Sequence, residues 1–307
     1  MKKNFIYLML ALALAACKKD PAPEPTPEPE PEPVIAKINV GSFNIRLDTS
    51  SDTGTKDWQA RKANCAALIK EHKFDVFGMQ EVLSNQQADL KALLPEYGFY
   101  FVGRDTGTAG EAVGVGYDKE KFEIEEWSRF WLSDTPDKPS GSLNWDGMSR
   151  HRVAAWVLLR HKESGKEFYF LATHLEVNNN GVSYAGVRAK SAALIIERMN
   201  AENSYNLPLF VVGDMNPAAA NEEALETFRA AYSDAYGVAT ADGTREGPKA
   251  TFQNFDTSRD LDKASSYPAD YIFYKGDIKL NKFVALTDKY DNCYPSDHLP
   301  VMAEVEF

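Results

Sequence analysis

Short runs of apolar side chains recur along the chain, and many of them end in a polar or ionisable residue. Runs rich in β-branched and aromatic residues predict strands at Ile38–Asn44, Asp75–Gln80, Tyr100–Gly103, Val113–Tyr117, Ala154–Leu159, Phe168–Thr173, Leu209–Gly213, Tyr271–Tyr274 and Val301–Val305. Two stretches follow helical spacing instead. Cys65, Leu68, Ile69 and His72 stand at i, i+3, i+4 and i+7, as do Ala192, Ile195, Ile196 and Met199, so both predict helices laid on a sheet. The segments Tyr117–Phe122 and Arg160–Lys166 read as turns between antiparallel strands, because a parallel crossover needs a dozen or more residues. The pattern therefore predicts a mixed-sheet α/β layered fold and not a simple doubly wound one. No repeat of fixed period interrupts it.

The first residues follow other rules. Met1-Lys2-Lys3 is a basic start, and Phe5 to Ala16 is an apolar run too short to span a bilayer as a helix. It ends in Leu14-Ala15-Ala16-Cys17, which resembles the lipobox of bacterial lipoproteins, with Cys17 as the lipidated residue; an ordinary secretory signal is the other reading. Residues 18–35 form a linker dominated by alternating proline and acidic residues, which favours extended polyproline conformation. At about 3.1 Å per residue its repetitive part reaches roughly 40 Å, the dimensions of a stalk. The expected layout is a signal peptide at 1–17, this linker, and one globular domain over 36–307, held outside the cytoplasm on a bacterial membrane and acting as a monomer. Cys65 and Cys293 are distant in sequence and do not by themselves establish a disulfide.

From residue 34 onward the chain holds 30 basic and 40 acidic residues, a net charge of −10. Gripping a nucleic-acid backbone calls for a basic surface, so this balance argues against a long polynucleotide substrate while leaving a local basic cleft open.

The candidate chemistry lies at the ends of the strands. Adjacent residues on a strand point to opposite faces, so Asp297 and His298 can share one site only where a strand ends. Partners recur at the ends of other runs: Asn44, Glu81, His174, Asp214, Asn216 and Asp270. Asp214 and Asn216, two apart, share a face if extended, although Gly-Asp-x-Asn-Pro alone also describes a plain turn.

Six ordered signals, Ser42-Phe43-Asn44-Ile45-Arg46, Gln80-Glu81-Val82, Thr173-His174-Leu175, Gly213-Asp214-Met215-Asn216, Asp270-Tyr271-Ile272-Phe273 and Ser296-Asp297-His298, resemble those of the endonuclease/exonuclease/phosphatase superfamily. Each is short, but six in the family's order form a specific pattern. The resemblance implies a four-layer α/β sandwich of two mostly antiparallel mixed sheets flanked by helices, with the site at one end. It implies Mg2+ or Mn2+ as cofactor, with Glu81 as its direct ligand, Asn44 as a supporting amide and Asp297 as a further carboxylate. A hard cation of this kind takes few carboxylates and completes its shell with water and substrate phosphate.

The same resemblance makes His298 the imidazole at the scissile phosphate and Asp270 the acid that orients it. Asp214 positions or deprotonates the attacking water, Asn216 contacts the phosphate, and His174 donates to a phosphate oxygen or to the leaving group. Glu111 is the expected orienting partner of His174, and Arg150 a phosphate contact. Trp131 and Trp145 are candidates for a specificity loop. Many relatives continue Thr-His-Leu with Asp-His, whereas this chain reads Glu176-Val177, which changes the substrate end of the cleft.

The implied activity is metal-dependent hydrolysis of a phosphoester, on a phospholipid, a sugar or inositol phosphate, or a nucleotide. A secreted nuclease and a non-catalytic binding lipoprotein are the alternatives. The fold alone cannot choose among substrates.

Overall fold

A computed structural model describes residues 34–139, 145 and 150–307. Cys17, the signal segment and nearly all of the linker lie outside the described residues.

In chain order the elements are β1 (Lys37–Asn44), α1 (Trp58–Glu71), β2 (Val76–Val82), α2 (Ser84–Leu93), β3 (Tyr97–Gly103), β4 (Ala112–Asp118), β5 (Phe122–Trp131), β6 (Val153–His161), β7 (Glu167–His174), α3 (Ala185–Glu202), β8 (Leu209–Asp214), α4 (Glu223–Ala231), β9 (Ser233–Asp234), α5 (Ala235–Asp242), β10 (Arg245–Glu246), α6 (Leu261–Ala264), β11 (Asp270–Lys275), β12 (Lys279–Ala285) and β13 (Val301–Glu306). They build two sheets, ordered β10-β12-β13-β1-β2-β4-β3 and β5-β6-β7-β8-β11-β9. Most neighbours are antiparallel; β1 with β2, β10 with β12, and β7 with β8 are parallel. The two sheets pack face to face between helices, the expected four layers.

Side-chain alternation explains the layers. On β1, Ile38 and Val40 enter the core between the sheets while Phe43 packs towards α1 and α2. On β8, Phe210 and Val212 enter that same core while Leu209 and Val211 pack under α3 and α4. Continued for two or four residues, the inter-sheet face of each strand changes from apolar to polar. On β1 it reaches Ser42 and Asn44, on β7 His174, on β8 Asp214 and on β11 Asp270. One end of the sandwich interior is therefore polar because the period of two that buries the core also delivers these residues.

The sheets approach closely at Gly78 on β2. A Cβ there would lie 2.4 Å from Val212 Cγ2 and 3.1 Å from Ala172 Cβ. Gly78→Ala is expected to cost about 1–3 kcal/mol, the usual penalty for overpacking a filled core. Urea denaturation measures it, and an unchanged midpoint would contradict this account of the inter-sheet spacing.

All nine expected strands and both helices are present. One connection differs from expectation: Tyr117–Phe122 joins β4 in one sheet to β5 in the other and closes no hairpin. Arg160–Lys166 does join a paired hairpin, β6 to β7. Trp131 and Trp145 do not line the cleft. Both are buried, and their indole N–H groups donate to Arg104 O and Asp134 Oδ1. Cys65 and Cys293 are free thiols. Among the described residues no helix is long and apolar enough to cross a membrane.

Candidate active site

Three neighbouring strands set the site's floor. His174 on β7 pairs in register with Asp214 on β8, and Asp214 pairs with Asp270 on β11. The three side chains therefore stand side by side at one sheet end. The opposite wall comes from the other sheet, where Asn44 on β1 is in register with Gln80 on β2. Next to Gln80 the pairing of β2 with β4 slips between Met79 and Val82, and Glu81 takes a left-handed backbone with φ of 63°. A bulge of this kind re-aims a side chain that regular alternation would send outward. Glu81 thereby faces the same cavity as Asp214.

Ser296-Asp297-His298 lies in a bend before β13, which frees Asp297 and His298 from strand alternation. His298 is tied by a single bridge to Phe252.

The contacts form a closed net. Asn44 Nδ2 donates to Glu81 Oε1 at 3.2 Å and to Asp214 Oδ2 at 3.1 Å, and the Leu47 N–H donates to Glu81 Oε2 at 3.1 Å. Asp214 Oδ2 lies 3.5 Å from His174 Nε2 and 3.6 Å from His298 Nε2. His298 Nδ1 meets Asp270 Oδ2 at 2.9 Å, and Thr251 Oγ1 donates to the same oxygen at 2.6 Å. Asn216, with φ of 46°, donates from Nδ2 to Leu175 O at 3.0 Å and to His174 Nε2 at 3.0 Å. All of these except Leu47, Asn216 and Glu81 are buried.

Burial and neighbouring charges set the protonation states. Burial opposes the charged form of His298 most strongly, yet Asp270 and Asp214 outweigh it and hold this imidazolium well above the ordinary histidine range. Burial acts the same way on His174, where Arg152 and His298 add to it, so this ring stays neutral well below that range. For Asp214, burial raises the pKa, His298 opposes and Asp270 adds, leaving it at about 7. Burial also raises Asp297, against His298 and with Glu81. The site thus holds one charged and one neutral imidazole on either side of a carboxylate that titrates near neutrality.

The expected residues Glu81, His174, Asp214, Asn216, Asp297, His298 and Arg150 line one cavity of about 560 Å3, with Asn44 and Asp270 directly behind it. Glu111 also lines it, but its carboxylate pairs with Arg104 at 2.6 Å. It comes within 4.8 Å of a His174 ring nitrogen without bonding to it, so orientation of His174 falls to Asn216. Arg150 Nη1 lies 3.7 Å from the buried Glu176, which Arg152 also approaches at 3.6 Å.

Several lining residues went unassigned from sequence. Arg152 enters one step before β6, and Thr251 and Phe252 come from the 243–269 segment, where no strong period marks them. Phe252 is 41% exposed and its ring lies 5.0 Å from that of His298. Arg46 stood inside a recognised motif without a role.

The donors suit a hard divalent cation. Glu81 and Asp297 offer carboxylate oxygens in a water-open cavity, and each Glu81 oxygen takes one N–H bond with lone-pair capacity remaining. Asn44 offers its nitrogen to both acids, while its Oδ1 accepts the Arg46 N–H at 3.1 Å, so it orients Glu81 and Asp214. Glu81, Glu111 and His174 lie close enough to share an ion, as do Asp214, Asp270 and His298. In the second group Asp270 Oδ2 is already taken by His298 Nδ1 and Thr251 Oγ1, while Asp270 Oδ1 is buried without a partner.

A sequence model of the Endonuclease/Exonuclease/phosphatase family matches residues 41–298. Among solved structures, the chain is similar to an endonuclease/exonuclease/phosphatase from Bacteroides vulgatus, 33% identical over 89% of this chain and 99% of that one, with a TM-score of 0.79. It is also similar to a mannosyl-6-phosphatase from Bacteroides thetaiotaomicron VPI-5482, 31% identical over 88% of this chain and 100% of that one, with a TM-score of 0.78. Nocturnin from Homo sapiens is 27% identical over 172 residues, which are 52% of this chain and only 38% of nocturnin.

Proposed function

The chain belongs to the endonuclease/exonuclease/phosphatase family, and from that premise we propose that it is a divalent-metal-dependent hydrolase of small phosphomonoesters, with a phosphorylated sugar as the substrate class. The observation that carries the hydrolase reading is the net His174–Asp214–His298–Asp270, closed at the end of the inter-sheet face. Held at Glu81 and Asp297, Mg2+ or Mn2+ would supply Lewis-acid neutralisation of a phosphoryl oxygen.

The remaining chemistry belongs to the chain. Asp214 accepts the proton of an attacking water, for which a carboxylate titrating near neutrality is well matched. The water oxygen bonds to phosphorus as the ester P–O bond breaks. Asp270 fixes Nδ1 of His298, so the Nε2 proton faces the reacting phosphate and stabilises its charge or passes to the leaving oxygen. His174 is neutral and its Nε2 accepts from Asn216, so it is the weaker acid of the two histidines. Arg150 and Arg152 add positive potential on the Glu176 wall.

Support for a small substrate comes from the cavity of about 560 Å3, from the acidic net charge, and from the likeness to a protein named as a mannosyl-6-phosphatase. We further propose that the domain works outside the cytoplasm, tethered through Cys17 and the proline-rich linker to a membrane.

The test is release of phosphate from mannose 6-phosphate and p-nitrophenyl phosphate, beside bis(p-nitrophenyl) phosphate and single-stranded DNA, with Mg2+ or Mn2+ and with EDTA. The expected result is hydrolysis of the monoesters that EDTA abolishes. A preference for the diester or the DNA would sink the substrate class, and no turnover of any ester would sink the hydrolase reading.

A further inference from the structure

Arg46 is built into the site more rigidly than a pocket-lining arginine needs to be. It follows β1 by two residues and takes a left-handed backbone, with φ of 59°. Its N–H donates to Asn44 Oδ1 at 3.1 Å, and its carbonyl accepts from Gln86 Nε2 at 2.9 Å and from Arg61 Nη2 at 2.6 Å. The guanidinium is then forked onto Asp52, Nε to Oδ2 at 2.9 Å and Nη2 to Oδ1 at 3.2 Å. Two of its three nitrogens are thereby fixed, and the third, Nη1, faces Asp297 Oδ2 at 3.8 Å. A bidentate fork of this sort locks direction as well as charge.

The other cavity acids have different partners. Glu111 is matched by Arg104 at 2.6 Å, and Asp214 lies between two imidazoles at 3.5 and 3.6 Å. Among the acids that line the cavity, this leaves Glu81 and Asp297 without a guanidinium or imidazole nitrogen within 3.6 Å, and Asp297 faces a fixed positive charge at 3.8 Å. At 3.8 Å, Nη1 stands off by more than a hydrogen bond, near enough to oppose a second ion electrostatically yet leaving the carboxylate open to one ligand bond.

We infer that Arg46 is a positioning residue that occupies the place of a second cation beside Asp297, so that this site takes one divalent ion, anchored on Glu81. The inference rests on the metal-dependent reading above. It adds to that reading a stoichiometry and a cause.

The experiment measures Mn2+ bound to the purified soluble domain, without substrate, by equilibrium dialysis and by the electron paramagnetic resonance signal of free Mn2+. The wild type is expected to bind one ion per chain. Arg46→Gln, with its fold checked by circular dichroism, is expected to bind two, and the double variant Arg46→Gln/Asp297→Asn to return to one. Arg46→Lys keeps the charge and is expected to stay at one, which separates electrostatic exclusion from general loosening of the loop. Two ions on the wild type, or one on Arg46→Gln, would overturn the inference while leaving the hydrolase reading intact. If Arg46→Gln does not fold, Arg46→Met is counted in its place: two ions on it support the inference, and one ion on it overturns it. No bound ion on the wild type would overturn the inference and the metal reading together.

Discussion

Glu81→Gln is expected to lower kcat/KM for the phosphomonoester by roughly 10³-fold or more, a loss of about 4 kcal/mol in transition-state stabilisation. The substitution keeps the length and shape of the side chain and removes its charge. The bulge that holds residue 81 at φ of 63° is a backbone feature set by β2 and β4, so the variant is expected to fold. One Glu81 oxygen now accepts from Asn44 and the other from the Leu47 N–H. In glutamine the oxygen can keep one of these bonds, while the amide nitrogen must face a donor across the other. The direct effect is lost affinity for the divalent ion. Mn2+ binding should weaken in parallel with activity, and raising the metal concentration should recover only part of the rate. A variant with native Mn2+ affinity and native turnover would remove Glu81 from the role argued for it.

The fold was legible because its two periods are clean. Apolar alternation along β1, β7, β8 and β11 marks strands, and the end of each pattern marks the residues that reach the cleft. Elements that lacked this signal were missed. β5 carries Glu123, Glu125 and Glu126 on an edge of its sheet, and β12 alternates exposed Lys and Asn with half-buried neighbours, so neither has a continuous apolar run. The Tyr117–Phe122 turn was recognised as tight, but tightness does not reveal that the chain changes sheets there.

The site divides along the same line. His174, Asp214 and Asp270 could be placed from strand ends, since register brings them together. The direction of Glu81 could not, because it depends on a bulge and a positive φ that no side-chain pattern encodes. The roles of Thr251 and Phe252 were hidden for another reason. Their segment reaches Asp270 and His298 through long-range contacts, and its own sequence has no periodicity to reveal them. Glu111 shows the converse error. Its position in the chain suggested a partner for His174, but the half-buried Arg104 guanidinium beside it is the stronger attraction for a carboxylate.

His298→Ala is expected to lower kcat by about 10²- to 10⁴-fold, the range for loss of a positioned proton donor, and to move the pH profile in a direction that identifies the network. In the wild type, activity should rise with pH as Asp214 loses its proton at about 7, then fall on the alkaline side as His298 gives up its own. These are properties of the interacting pair and not of either residue alone. Among the influences on Asp214, the His298 charge lowers its pKa and the Asp270 charge raises it. Removing His298 should therefore push the acidic limb of the residual activity above its wild-type position. Asp270→Asn should act in two ways at once. It takes away a charge that raises Asp214, which draws the acidic limb down. It also takes away the charge that most supports the protonated form of His298, which brings the alkaline limb down as well. Initial rates measured from pH 5 to 10 at saturating and at limiting substrate separate these shifts. If the acidic limb moves the same way in both variants, Asp214 is not the group that sets it, and the base must be sought elsewhere in the cavity.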